Sequence, residues 1–313
     1  MLKYIIRRTL VIIPILLAVI FIVSFIMELT PGTPGRVLLG PVATQEAVDK
    51  LDQKLGTDRP FLERYFDYIK NIVLHFDFGN SYRTNKPVVN ELKVRFPYTL
   101  KLAFAAVLGS SLIGIPIGVL MAAKRNMLID RSVNILAMVF AAIPSFALAL
   151  GMIYIFAVQL EWLPPYGAKT WKHYILPMAT LILPSSVGRM RLARTTMLEA
   201  IRQEYITMAR SKGIPENRVI FVHALKNSLI PLITSILTGF SSMLGGTIIL
   251  ENIFGFPGLG AYIINGINTK DAPTVLASTT FLAAVFCLTS LVLDIIYALV
   301  DPRVKERYKT LSR

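Results

Sequence analysis

With a single cysteine in 313 residues, the chain has no disulfide framework, and Cys287 lies inside an apolar run where it behaves as a small hydrophobe. Charge is scarce too. Asp, Glu, Lys and Arg make up 17% of the sequence, where a soluble domain carries roughly a quarter. The three histidines (His75, His173, His223) are scattered, so no H-E-x-x-H pair exists and no metal site is expected. The G-x-x-x-x-G-K-[ST] loop is absent, which excludes nucleotide binding in the P-loop manner. Gly239-Phe240-Ser241-Ser242-Met243 lacks the second glycine of a nucleophile elbow. Nothing here reads as an enzyme.

What is abundant is apolar sequence, 54% of the chain, gathered in blocks that point to membrane spans rather than to one large core. Six runs stand out: 9–29, 102–123, 133–160, 174–188, 228–250 and 274–300. All but the fourth reach the roughly 20 residues a helix needs to cross hydrocarbon. The fourth is short and carries Pro177 and Pro184, so it needs its partners, or Arg189 and Arg191 snorkelling toward the interface, to complete the crossing. The N-terminus has the basic start of a secretion signal, but its apolar stretch is too long and no small-x-small site follows, so a retained transmembrane helix is expected.

A net charge of +14 raises the question of nucleic acid, but the basic clusters flank apolar runs and assign no nucleic-acid partner. With six spans, one side receives residues 1–8, 124–131, 189–226 and 301–313, which hold 19 Lys/Arg against 6 Asp/Glu. The other receives 30–98, with 10 against 8. The positive-inside bias places the first set, with both termini, in the cytoplasm. Segment 30–98 is too long to be structureless. Helical patterns run over Gln45–Leu55 and Pro60–Leu74, the second putting Phe61, Tyr65, Tyr68 and Ile72 on one face. A small cap on the outer mouth is expected, too poor in apolar surface to fold alone.

Within the spans, Gly114-x-x-x-Gly118 and Gly245-Gly246 allow close helix approach. Pro116, Pro144, Pro177, Pro184 and Pro231 are potential kinks. Ser241 and Ser242 either line a polar path or join two helices.

The segment 189–226 is the most specific part of the chain. Leu198, Ile201, Tyr205 and Met208 recur at helical spacing as one apolar face, opposite Glu199, Arg202 and Arg210. Gly213 fits a helix end requiring positive φ, and Pro215 suits the first turn of a new helix, Pro215–Leu225. Two short helices in an elbow result.

This elbow resembles the cytoplasmic loop of bacterial ABC-importer permeases. Against the general consensus E-A-A-x3-G-x9-I-x-L-P the match is poor, with Thr207-Met208-Ala209 at the first three positions. The peptide-permease branch, E/D-Y-x-x-x-A-R-x-K-G followed by H-A-L-[RK]-N, fits closely: Glu204-Tyr205, Ala209-Arg210, Lys212-Gly213, then His223-Ala224-Leu225-Lys226-Asn227. Pro31-Gly32-Thr33-Pro34, Leu55-Gly56, Phe78-Gly79-Asn80-Ser81, the Phe254–Gly260 loop and Asp301-Pro302-Arg303 extend the similarity to the dipeptide/oligopeptide/nickel permease family from end to end.

The resemblance implies an all-α membrane protein: a first helix (1–29), an extracytoplasmic segment (30–98) and a core permease domain (99–313) with five further transmembrane helices and a coupling loop, 189–226. It implies a bacterial cytoplasmic membrane location. The implied partners are a second permease, two ATP-binding subunits that hold ATP and Mg, and an extracytoplasmic substrate-binding protein, with no cofactor in this chain. Tyr205, Met208 and Ala209 are implied in apolar docking to an ATPase, Glu204, Arg210 and Lys212 in polar contacts, and Gly213 in the turn; Ser241 and Ser242 are candidates for the path. A secondary transporter or channel without an ATPase is the alternative, and its marks, an inverted repeat or several buried ionisable residues, are not evident. The substrate (dipeptide, longer peptide, glutathione, metal chelate or sugar) is not encoded in any recognisable pocket motif.

Overall fold

The structure, a computed structural model, describes residues 2–300; Asp301-Pro302-Arg303 lies outside the described residues. The helices are α1 (Leu2–Leu29), α2 (Pro34–Leu39), α3 (Gln45–Leu55), α4 (Phe61–His75), α5 (Val88–Ala123), α6 (Leu128–Ala142) and α7 (Ser145–Met152). They continue as α8 (Lys172–Ile201), α9 (Glu204–Ser211), α10 (Glu216–Arg218), α11 (Leu225–Ile253), α12 (Leu259–Asn268) and α13 (Ala272–Val300). Extended segments pair only at an isolated antiparallel bridge, Asn80 to Pro87, among the described residues. These residues form two compact units, 2–99 with 257–292 and 100–256 with 293–300.

Among the described residues, four helices are long and apolar enough to cross a bilayer: Ile6–Leu29, Val88–Ala123, Glu216–Ile253 and Ala272–Ile296. A fifth crossing is added if the bent pair Asp130–Ala142 and Ser145–Gln159 makes one span. That pair corrects the expectation of one continuous helix over 133–160. It bends by 97° because Pro144 forces the preceding residue out of the helical region: Ile143 takes φ −80°, ψ 121°. After the bend, α7 continues as a π-helical turn over Ile153–Gln159.

In the first unit, α1 leaves Leu10, Ile13, Ile22 and Ile26 more than half exposed, an apolar surface suited to lipid rather than water. Thr33 and Thr44 cap α2 and α3 through their side chains, and Gly56 ends α3 with φ +69°, which is how these two helices acquire sharp limits. Gly35 donates its amide to Asp52 Oδ1 at 2.7 Å. A Cβ at Gly35 would stand 2.9 Å from the Val48 carbonyl oxygen, so α2 lies on α3 only because that residue is glycine. Phe61, Tyr65, Tyr68 and Ile72 are all partly buried, as their spacing predicts. Phe61 and Tyr65 meet Phe21 and Phe25 of α1 edge-on, and Arg64 pairs with Glu28 at 2.5 Å. Val88, Leu92, Leu259 and Ala277 form the unit's buried cluster.

Two adjacent residues pin this unit together. Lys270, 8% exposed, donates its ammonium to the carbonyls of Thr30 and Gly32 at 2.6 Å and to that of Pro31. Asp271 accepts from Ser81 Oγ at 2.5 Å and from the Tyr82 amide at 3.0 Å. Every donor of the ammonium is used on the chain that leaves α1.

In the second unit, α5 packs against α8 through glycine. Cβ atoms on Gly114 and Gly118 would collide with the Ser186 and Met190 carbonyl oxygens, and one on Gly109 with Ile182. The expected close approach is thus made at Gly114-x-x-x-Gly118, while Gly245 and Gly246 have nothing within 4 Å. Arg194 of α8 grips Asp130 at the start of α6 with two bonds of 2.8 and 2.9 Å, and Asp130 is buried. The expected fourth run, 174–188, lies within a longer helix: α8 continues to Ile201, 30 residues in all, about 45 Å at 1.5 Å per residue, but it is not among the helices apolar enough to cross a bilayer. Arg191 is exposed, but Arg189 is only 6% exposed and does not snorkel.

Candidate functional site

The elbow is shorter than 189–226. Residues 189–201 belong to α8, and the connection proper runs from Arg202 to Pro215. α8 stops at Ile201 because Gln203 turns extended, with φ −76° and ψ 150°, and α9 starts afresh at Glu204. This interruption corrects the expected face of Leu198, Ile201, Tyr205 and Met208, which assumed one uninterrupted helix. Leu198 and Ile201 pack on an internal cluster with Met197, Ile206, Ala209, Val219 and Ala224. Tyr205 and Met208 point the other way, 37% and 60% exposed. Residues Ile206 and Ala209 form the inward face of α9, and Ala209 at 8% exposure is part of the elbow's own core rather than of its outer surface.

The C-terminus of α9 is closed by a Schellman motif. The Gly213 amide donates to the Arg210 carbonyl at 2.9 Å and the Ile214 amide to the Ala209 carbonyl at 3.4 Å. Gly213 takes φ +72°, and Ile214 packs against the cluster containing Ala209, which supplies the hydrophobic contact such caps use.

Across this turn, Arg210 holds Glu216 with two bonds, Nη2 to Oε1 at 2.5 Å and Nε to Oε2 at 3.0 Å. Arg210 was expected to offer its charge outward; instead it is engaged within the elbow. Its guanidinium holds the Glu216 carboxyl below the usual carboxylate range. Glu204 lies in the first turn of α9, where an acid opposes the helix dipole favourably, and both Glu204 and Lys212 are exposed.

Beyond the turn, Pro215 caps α10 rather than entering it. The helix does not end at Leu225 as expected. It passes through a π-helical turn, Val219–Ala224, straight into α11. The elbow is therefore one short exposed helix on a capped turn, joined without a break to a long apolar one.

Ser241 and Ser242 are not brought onto one surface. Ser241 is 5% exposed and its hydroxyl has no hydrogen-bond partner among the described residues. Ser242 is exposed and donates to the Thr238 carbonyl at 3.5 Å. The sequence reading missed Lys270, Asp271, Asp130 and Arg194, whose contacts join distant segments and leave no local pattern. Among the described residues no group of three or more His, Cys, Asp or Glu could hold a metal ion.

Comparison with known proteins places this arrangement. Residues 114–306 match the family described as binding-protein-dependent transport system inner membrane component, and residues 1–103 match its N-terminal counterpart. The glutathione transport system permease protein GsiC of Escherichia coli (strain K12) is 35% identical over 309 residues, 99% of this chain and all of that protein. The protein of the same name in Salmonella typhi is 36% identical over the same span. Among solved structures, an inward-facing MetNI methionine ABC transporter aligns with a TM-score of 0.57 at 20% identity, covering 67% of this chain and 96% of that one. An amino acid ABC transporter with histidines aligns with a TM-score of 0.55 at 21% identity, covering 69% and 94%. These two share the fold. The chain belongs to the binding-protein-dependent transport system inner membrane component family: it is a multi-pass inner-membrane permease of the peptide/nickel branch of ABC importers.

Proposed function

We propose that this chain forms one half of a translocation path for peptides, completed by a second, homologous permease, and that two ATP-binding subunits drive it. ATP and Mg belong to those subunits. An extracytoplasmic binding protein delivers the solute to segment 30–98. The chain crosses the membrane six times, with α8 as the fourth crossing and both termini in the cytoplasm. ATP binding closes the ATPase pair and hydrolysis reopens it. The elbow follows that motion and shifts the helices between outward- and inward-facing arrangements, a two-state element biased by a ligand bound elsewhere.

The observation that carries the reading is the elbow's construction. Ile206 and Ala209 anchor α9 from beneath, the Gly213 cap fixes its end, and Tyr205 and Met208 are left exposed on a rigid mount. An exposed aromatic and a methionine on a short, held helix suit insertion into a groove of a soluble partner. Tyr205 and Met208 are the apolar contacts, with Glu204 and Lys212 at their rim. Arg210 and Gly213 serve the elbow's shape, and Ala209 its support.

Tyr205→Ser combined with Met208→Asp tests this. Membrane insertion of the variant should be normal, while ATP-binding subunits no longer co-purify and uptake is lost. Wild-type co-purification and uptake would refute the assignment. Peptides as the transported class rest on the branch assignment and on a relative named for glutathione, itself a peptide.

A further inference from the structure

Arg189 is held where α5, α8 and α11 meet. α8 and α11 run antiparallel, with Ser185 against Met243 (Oγ to Sδ 4.0 Å), Arg189 against Gly239, and Thr196 against Ser228 (Oγ to carbonyl 3.2 Å). On the other side, a Cβ on Gly114 of α5 would stand 3.1 Å from the Arg189 Cβ. A Cβ on Gly239 would collide with Arg189 Nη2, so glycine at 239 is what lets the guanidinium lie on α11. Arg189 is 6% exposed, and its Nε and Nη2 have no hydrogen-bond acceptor among the described residues.

Those two nitrogens share one edge of the guanidinium, the edge that grips both oxygens of a carboxylate. The same chain shows that use twice. Arg194 holds Asp130 and Arg210 holds Glu216, in each case through Nε and Nη2. An intramembrane charge with two buried donors lacking an acceptor is costly to keep and marks a functional position. What the group lacks is an anion.

We propose that Arg189 binds a carboxylate of the transported solute as it passes the α5–α8–α11 junction. This rests on the permease reading and gives it a chemical requirement: a solute with a free carboxylate, such as a peptide C-terminus. Gly239 is a positioning residue that makes room for the guanidinium, and Gly114 lets α5 approach α8 beside the Arg189 Cβ. The junction lies five residues along α8 from Arg194, about 7.5 Å.

The test uses the wild-type complex purified from membranes with its native partners, so it does not depend on a variant folding. The arginine reagent phenylglyoxal is applied in the nucleotide-free and ATP-bound states, and modification of Arg189 is followed by peptide mass spectrometry. Millimolar dialanine should slow modification several-fold, and dialanine amide, which lacks the carboxylate, should not. Equal rates with both probes would overturn the proposal, as would an Arg189 that the reagent never reaches in either state. The permease reading stands or falls separately, on whether ATP-binding subunits come through the same purification.

Discussion

Replacing Gly213 isolates the backbone from every other property of the elbow. No atom lies within 4 Å of where a Cβ would stand, so a side chain there meets open space and the penalty is conformational alone. At φ +72° an L-residue with a Cβ costs about 1–2 kcal/mol, asparagine being better tolerated because it enters the left-handed region readily. That range lowers the ratio of capped to uncapped elbow roughly 5- to 30-fold. A β-branched residue fares worse than alanine. The series should therefore order as Gly, then Asn, then Ala, then Val, in both retention of ATP-binding subunits during purification and solute-stimulated ATP hydrolysis. Membrane insertion should be unchanged across the series, since the spans are not touched. If Gly213→Asn fails as badly as Gly213→Val, the site demands the absence of a side chain, as a contact surface would, and the reasoning from φ is wrong. If Gly213→Val docks as wild type does, the capped turn is not required for docking.

The Arg210–Glu216 clamp carries a pH signature. Because the folded-state pKa of Glu216 is lowered, chiefly by its hydrogen bonds to Arg210, the stabilisation is complete above the ordinary Glu value and is lost as pH falls through the folded one. Both side chains are about half exposed, so the clamp contributes at most about 1 kcal/mol. Amide exchange at Gly213 and Ile214, corrected for its intrinsic pH dependence, should show less protection in acid, and Glu216→Gln should abolish the change; an identical response in that variant would refute the link. Asp130→Asn keeps the shape of the α6–α8 junction but removes the charge facing Arg194, and should lower stability by about 1–3 kcal/mol. An unchanged Tm of the detergent-solubilised protein would show that this pair does not hold the junction.

The outer helices were legible because their limits are written in single residues. Thr44 and Gly56 bracket α3, and the spacing of Phe61, Tyr65, Tyr68 and Ile72 marks the inner face of α4. Positive φ at Gly213 was legible for the same reason. The break at Arg202-Gln203 was not, since neither residue is a strong helix breaker and the apolar period runs through it in phase for two more turns. Only the packing of Ile206 and Ala209 on the internal cluster decides which side of α9 faces in. Pro144 was visible as a kink site, but the size of the bend follows from the extended conformation of Ile143, which hydropathy does not register. Arg189 was misread because the apolar run ends just before it; α8 continues for three further turns, so the residue lies within the helix and not at its rim. The contacts of Lys270 and Asp271 reach back about 190 to 240 positions, a separation that no local pattern reports.

The uninterrupted passage from Pro215 to Ile253 has a mechanical consequence. At about 1.5 Å per residue, the 38 residues of Glu216–Ile253 make a rod of about 57 Å. A tilt of roughly 5° at the elbow end would carry the opposite end through about 5 Å if the rod stayed straight. Pro231 lies inside it, where the missing N–H and the displaced carbonyl leave a joint. Pro231 divides the helix into arms of 15 and 22 residues, and the stiffness of residues 227–231 sets what fraction of any displacement at Pro215 would arrive at Ile253.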